Sequence, residues 1–72
     1  MIISPKKRRE ARQAARTYFA EYATKRPKAS EDEIKSYVEG RLQIEYGMSP
    51  AMMLVIAEII LEVVKAWREG RK

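Results

Sequence analysis

The chain of 72 residues contains no Cys, no His and no Asn, and Asp32 is its single aspartate. Zinc sites, Ser-His-Asp and Cys-His arrangements and imidazole bases therefore cannot be built from one chain. Its glycines, Gly40, Gly47 and Gly70, lie too far apart for a glycine-rich phosphate-binding loop. We therefore expect a protein that binds a partner, with no enzymatic activity and no cofactor.

Positive charge is concentrated in the first part of the chain. The sequence has 15 Lys and Arg against 10 Asp and Glu, which gives a net charge of +5. Residues 1–28 hold nine basic and two acidic side chains, whereas residues 29–72 hold six and eight. Such an asymmetric field favours an anionic partner: nucleic acid, an acidic protein surface or anionic lipid. The basic run at 6–9 is not followed by the apolar region of a secretory signal, so we expect a cytoplasmic protein.

Three places along the chain carry helix-start chemistry. Ser4 and Ser49 each precede a proline, so a capping hydroxyl stands next to a residue that is favoured at the first helical position. Ser30 opens an S-x-x-E capping box with Glu33. Three starts predict three helices.

Helix-stop signals agree with these starts. Pro27 closes the first segment, Gly47 is suited to a left-handed cap after the second, and Gly70 precedes a charged tail after the third. No stretch alternates apolar and polar residues as a half-buried strand does. The sequence therefore predicts an all-α, compact three-helix domain over residues 1–72, with helices at roughly 5–24, 30–46 and 50–69.

The first predicted helix is amphipathic and basic. Its apolar residues recur at helical spacing and form one face, which consists of Ala11, Ala14, Ala15, Tyr18, Phe19 and Tyr22. At about 100° per residue, four arginines fall on the flank beside this face. Because the aromatic side chains share the stripe of the alanines, core packing explains them better than base stacking does.

The second predicted helix is the weaker element. Its buried stripe is expected to consist of Ile34, Tyr37, Val38 and Leu42. Arg41 can lay its aliphatic stem along the same stripe. Gly40 lies in the helix interior, where glycine costs about 1 kcal/mol relative to alanine.

The third predicted helix is apolar on nearly all sides. Its polar stripe consists of Glu58, Glu62, Lys65 and Glu69. One apolar ridge consists of Met53, Ile56, Ile60, Val63 and Trp67, and a second of Leu54, Ala57, Leu61 and Val64. Two short partner helices cannot cover all of this surface, and a domain near 60 residues buries only about 60% of the surface of its unfolded chain. We therefore expect a homo-oligomer, a dimer above other orders, with the first ridge at the interface.

The apolar stretch from Ala51 to Trp67 is not expected to span a membrane. It is shorter than the ~20 residues that a bilayer requires, and it carries Glu58, Glu62 and Lys65. A core helix is the better interpretation.

The best functional candidate is the basic cluster of the first helix, which consists of Lys6, Lys7, Arg8, Arg9, Arg12 and Arg16. Clustered cations neutralise phosphates and release counterions, which gives sequence-independent affinity for nucleic acid. The alternative is a protein-interaction module or small inhibitor that docks this helix on an acidic protein surface. A third interpretation, binding of the first helix to a membrane surface, is less favoured because its apolar face is mainly Ala and Tyr and lacks bulky aliphatic residues. The alternative to all three is a solvated face that only adds solubility.

Two other interpretations fit the sequence less well. A helix-turn-helix reader needs polar side chains where its second helix begins, whereas the third helix here begins with an apolar run. Glu58 and Glu62 are one turn apart, but a diiron-type site also needs a Glu-x-x-His pattern. We therefore expect these two carboxylates to belong to a surface stripe, with Lys65 neutralising Glu62 and Glu69.

Overall fold

The computed structural model describes residues 3–70 and contains three α-helices over that range. α1 runs over Pro5–Lys25, α2 over Glu31–Tyr46 and α3 over Pro50–Gly70. Each helix packs against both of the others. The expected all-α, three-helix fold is confirmed, and the helix bounds lie within one residue of those expected at every end.

All three predicted caps are formed. The hydroxyl oxygen of Ser4 accepts a hydrogen bond from the backbone N–H of Lys7 at 3.2 Å. Ser30 and Ser49 accept equivalent bonds at 3.2 Å from the N–H groups of Glu33 and Met52. Each cap satisfies one of the N–H groups that a helix leaves without an internal partner, so the three starts are set by local sequence.

The helix ends follow the predicted stops at two of three places. α1 ends before Pro27, and the N–H of Arg26 still donates to the carbonyl of Tyr22. Gly47 follows α2 with φ 94° and ψ 173°, a region that is essentially restricted to glycine. Its positive φ was expected, but its ψ differs from that of a left-handed helical cap. α3 includes Gly70, and the tail expected beyond it lies outside the described residues.

The core lies between the three helices and is entirely apolar among the described residues. α1 contributes small side chains and one ring, α2 a single stripe, and α3 the largest share. The buried residues are Ala11, Ala15, Phe19, Ile34, Val38, Leu42, Met52, Val55, Ile56, Ile59, Ile60, Val63 and Val64. Because the alanines of α1 are short, the other two helices can approach it closely. Tyr37, expected in the buried stripe of α2, is only partly buried.

The structure changes the assignment of the two apolar ridges of α3. Ile56, Ile60 and Val63, which we expected at a subunit interface, are at most 6% exposed because α1 and α2 cover them. Trp67 packs partly against the same core, which leaves Met53 as the one member of the first ridge that is exposed. The second ridge is the one left uncovered: its residues Leu54, Ala57 and Leu61 are exposed, and its last member, Val64, is buried. The surface available to a second copy is therefore different from the one expected.

Over the described range, no helix is both long enough and apolar enough to cross a bilayer.

Candidate nucleic-acid interface

The basic cluster of α1 lies at the surface of the molecule. Five of its six side chains are exposed, and that of Arg12 is partly buried. None of them is in the core, because the buried face of α1 is formed by Ala11, Ala15 and Phe19. The cluster does not form one uniform patch, however, because its members have different neighbours.

Two of the four arginines are paired with α3. Nη1 of Arg8 lies 3.7 Å from a carboxylate oxygen of Glu58, and Nε of Arg12 donates to Glu62 at 2.9 Å. Both pairs lie along the seam between α1 and α3. The partners of Glu58 and Glu62 are thus arginines of another helix, and our expectation that Lys65 neutralises Glu62 is replaced by this cross-helix pair.

Lys6, Arg9 and Arg16 make no ion pair with any residue in the described range. At about 100° per residue, Arg9 and Arg16 lie within about 20° of each other around α1, and Lys6 lies about 60° from Arg9. We call these three residues the cationic face. Lys7 likewise makes no ion pair with residues 3–70, but it lies half a turn away from Arg16, on the side of α1 that faces α2.

The opposite flank of α1 is occupied by polar contacts with α2. The hydroxyl of Tyr18 donates a hydrogen bond to the carboxylate of Glu45, and the guanidinium of Arg41 lies 4.8 Å from the centroid of the Tyr18 ring. Arg41 also pairs with Glu45 at 3.7 Å. The hydrogen bond to Glu45 raises the pKa of Tyr18, because an ionised phenol would face a carboxylate. These three side chains therefore neutralise each other's charges, and Lys7 is the member of the basic cluster on this side that has no ion pair within the described range.

The aromatic side chains of α1 serve packing, as the sequence indicated. Phe19 is 3% exposed, and Tyr22 stacks on Tyr37 of α2 with ring centroids 4.5 Å apart. The guanidinium of Arg26 lies 5.6 Å from the centroid of Tyr22. Phe19 also contacts Trp67 of α3, with centroids 5.3 Å apart and planes inclined at 59°.

A contact between α2 and α3 closes the third side of the bundle. Arg68 donates hydrogen bonds from two nitrogens to the two carboxylate oxygens of Glu31, with Nε at 2.7 Å. These bonds lower the pKa of Glu31, because they favour the carboxylate form. Glu31 lies in the acidic first turn of α2, and nothing in the sequence pattern indicates its partner at a separation of 37 residues.

One feature near the cationic face was missed by sequence reasoning. A groove of about 220 Å³ between α1 and α3 is lined by Arg16, Phe19, Ala20, Val63, Ala66 and Trp67. We call it the Trp67 groove. Trp67 follows Ile60 and Val63 at helical spacing, which resembles an ordinary apolar ridge, so the pattern carried no signal that its ring borders a surface groove.

No cluster of carboxylates suited to a metal ion occurs in the part of the chain that the structure describes. Glu58 and Glu62 are instead held against arginine cations. Comparison with known proteins adds no assignment: no family model, no curated protein and no solved structure gives a significant match to this chain.

Proposed function

We propose that this protein is a non-enzymatic helical module that binds nucleic-acid phosphates without reading sequence, through the cationic face of α1. The observation that carries the proposal is the division of the basic cluster. Lys6, Arg9 and Arg16 share one side of the helix and are exposed, with no ion pair to the described residues, so their charge is available to an external anion.

The paired arginines are expected to contribute less. Glu58 and Glu62 already neutralise much of the field of Arg8 and Arg12, although exposed ion pairs are worth only about 0–1 kcal/mol and can be exchanged for a phosphate. The core provides a rigid base for α1, which keeps the free cations at fixed spacing. The cationic face carries one amide among the described residues, that of the exposed Gln13, and a single amide cannot read a run of base edges, so binding should be insensitive to sequence.

The experiment compares two double variants that remove the same residue types from the same helix. Arg9→Gln/Arg16→Gln removes unpaired cations, whereas Arg8→Gln/Arg12→Gln removes paired ones. Gln has a helix propensity similar to that of Arg, so both variants should keep α1. Binding of random-sequence DNA and RNA is measured by fluorescence anisotropy across a salt series.

We expect the first variant to weaken binding and to flatten the slope of log K against log salt by about two units, one per lost contact. The second variant should change the slope by less. Equal changes of the salt slope in the two variants would show that the paired and unpaired arginines contribute equally to binding. If the wild type shows no salt-dependent binding at low ionic strength, the nucleic-acid proposal fails, and docking of the same face on an acidic protein becomes the explanation.

We further propose that the protein self-associates through the second ridge of α3. Leu54 and Leu61 are 68% and 64% exposed, and they lie about 20° apart around the helix with the small side chain of Ala57 between them. An antiparallel two-fold packing centred at Ala57 would place each leucine against the other copy and let the helices approach closely.

Sedimentation equilibrium tests this second proposal. We expect a mass above the 8.4 kDa of the monomer at micromolar concentration, and the monomer mass for Leu61→Glu. Ile44→Glu is the matched control, because Ile44 is 83% exposed on α2, outside the ridge. A wild type that sediments as a monomer throughout would refute self-association, and dissociation by Ile44→Glu alone would move the interface to α2.

A further inference from the structure

Trp67 stands between two grooves near the end of α3. The Trp67 groove lies on the α1 side of the indole. A second groove of about 280 Å³ lies on the other side, beneath the loop between α1 and α2, and is lined by Ala23, Thr24, Arg26, Pro27, Ala29, Ile34 and Trp67. The indole is thus the wall that the two grooves share.

The indole is held in place by the core. Its ring packs against Phe19, which is 3% exposed, and Val63 beside it is 6% exposed. Trp67 itself is only partly buried, so some of its surface remains accessible from the grooves. A flat ring fixed in this way loses little conformational entropy when another ring stacks on it.

Each groove has an arginine in its wall. Arg16 lines the Trp67 groove and Arg26 lines the second groove. Neither makes an ion pair with the described residues, and the guanidinium of Arg26 lies over the ring of Tyr22 in a cation–π interaction. The two arginines are ten residues apart, which is about 15 Å along the helix axis. No carboxylate lines either groove. A ligand that complements this region would therefore carry an apolar ring with a negative charge on each side of it.

We infer that the Trp67 groove receives an unpaired nucleobase, which stacks on Trp67 while phosphates farther along the strand on either side contact Arg16 and Arg26. The inference rests on the proposed phosphate binding and adds the substrate class: single-stranded nucleic acid in preference to duplex. Bases within a duplex are already stacked and paired, so their faces are not accessible to the indole. A base that stacks on the indole can be any of the bases, since each has a π face, so no sequence preference is expected.

The test uses Trp67 as its own reporter, because it is the single tryptophan of the chain. The full-length protein is titrated at low salt with an unlabelled thymidine oligonucleotide and with a duplex of equal length. We expect the single strand to quench the tryptophan fluorescence and the duplex to leave it nearly unchanged, although both bind. Quenching that is equal for the two ligands would overturn the preference.

A variant series gives the second readout, by anisotropy of labelled oligonucleotides. Trp67→Ala should weaken single-strand binding by roughly 5- to 150-fold, the range that corresponds to stacking energies of ~1–3 kcal/mol per base, and should leave duplex binding nearly unchanged. Trp67→Phe keeps a ring, so its affinity for the single strand should lie between those of the wild type and Trp67→Ala. All are made in a Gly40→Ala background, so that loss of packing at Trp67 does not unfold the chain. The new methyl group meets nothing within 4 Å, and alanine favours a helix interior more than glycine does.

The outcomes separate this inference from the function on which it rests. If both nucleic acids bind with a steep salt slope while fluorescence and Trp67→Ala show no difference between them, phosphate binding stands and the base site is refuted. If neither binds, both proposals fail together. If an acidic peptide with an apolar anchor quenches Trp67 and the single strand does not, the groove is a peptide site and the inference is overturned.

Discussion

The two flanks of α1 make different kinds of contact with the neighbouring helices. Toward α2, Tyr18, Arg41 and Glu45 form a closed set of contacts, and Tyr22 stacks on Tyr37. Toward α3, Arg8 and Arg12 pair with glutamates, while Arg9 and Arg16 on the outer side of the same flank make no ion pair with the described residues. The polar contacts on the α2 flank are thus made within the molecule, whereas the α3 flank has two arginines without an ion pair to the described residues and an apolar groove at the surface.

The comparison shows that a basic sequence segment is not the same as a basic surface. All four arginines lie on one flank in the sequence pattern, yet the glutamate stripe of α3 engages two of them. What remains for binding is set by the neighbouring helix as much as by α1 itself.

The largest expected effect concerns packing against α3. Phe19→Ala removes a buried ring and should cost about 3–5 kcal/mol, a large part of the roughly 4–11 kcal/mol expected for 72 residues. Tyr22→Ala, on the α2 side, removes a partly exposed ring and should cost less. Urea unfolding followed by circular dichroism measures both. Equal losses would mean that the two flanks contribute equally to the core.

The second prediction concerns alkaline pH and the α2 flank. The folded-state pKa of Tyr18 is raised, so its contribution to stability is complete below the ordinary tyrosine pKa of about 10 and is lost as pH rises through the folded value. Thermal unfolding between pH 8 and 11 should show a steeper loss for the wild type than for Tyr18→Phe. Parallel profiles would indicate that the hydrogen bond to Glu45 does not couple folding to this proton.

The third prediction compares the contributions of Arg12 and Arg16, both on the α3 flank, to the free energy of unfolding. Arg12→Gln breaks a cross-helix ion pair and should cost about 0.2–1 kcal/mol. Arg16→Gln breaks no ion pair within the described range and should change the free energy of unfolding by less than about 0.5 kcal/mol. A larger loss of unfolding free energy for Arg16→Gln would show that the side chain of Arg16 stabilises the fold, which would contradict a role confined to ligand binding.

The smallest effect on stability is expected at acid pH, for the contact between Glu31 and Arg68. This contact joins α2 and α3 and involves neither flank of α1. The folded-state pKa of Glu31 is lowered, so its contribution is present above the ordinary glutamate pKa and is lost as pH falls through the folded value. Glu31→Gln should flatten the acid limb of the stability profile slightly, and Arg68→Gln should do the same. An unchanged limb in both variants would contradict a role for this pair.

Local sequence determined the three helix starts and the ends of α1 and α2. The hydroxyl caps act within three residues, Pro27 lacks an N–H to continue α1, and Gly47 adopts a backbone conformation that other residues avoid. Helical spacing likewise predicted Ala11, Ala15 and Phe19 as the buried face of α1. These features depend on neighbours along the chain, which is the information that a sequence pattern contains.

The tertiary structure alone decided which apolar ridge of α3 is covered and which arginines are paired. The rotation of α3 about its axis placed Ile56, Ile60 and Val63 inward and left Leu54 and Leu61 exposed. The same rotation brought Glu58 and Glu62 to the arginines of α1 and set Trp67 at a groove. A helix that is apolar on most sides has several nearly equivalent orientations when considered alone, and only the combined packing of three helices selects one of them.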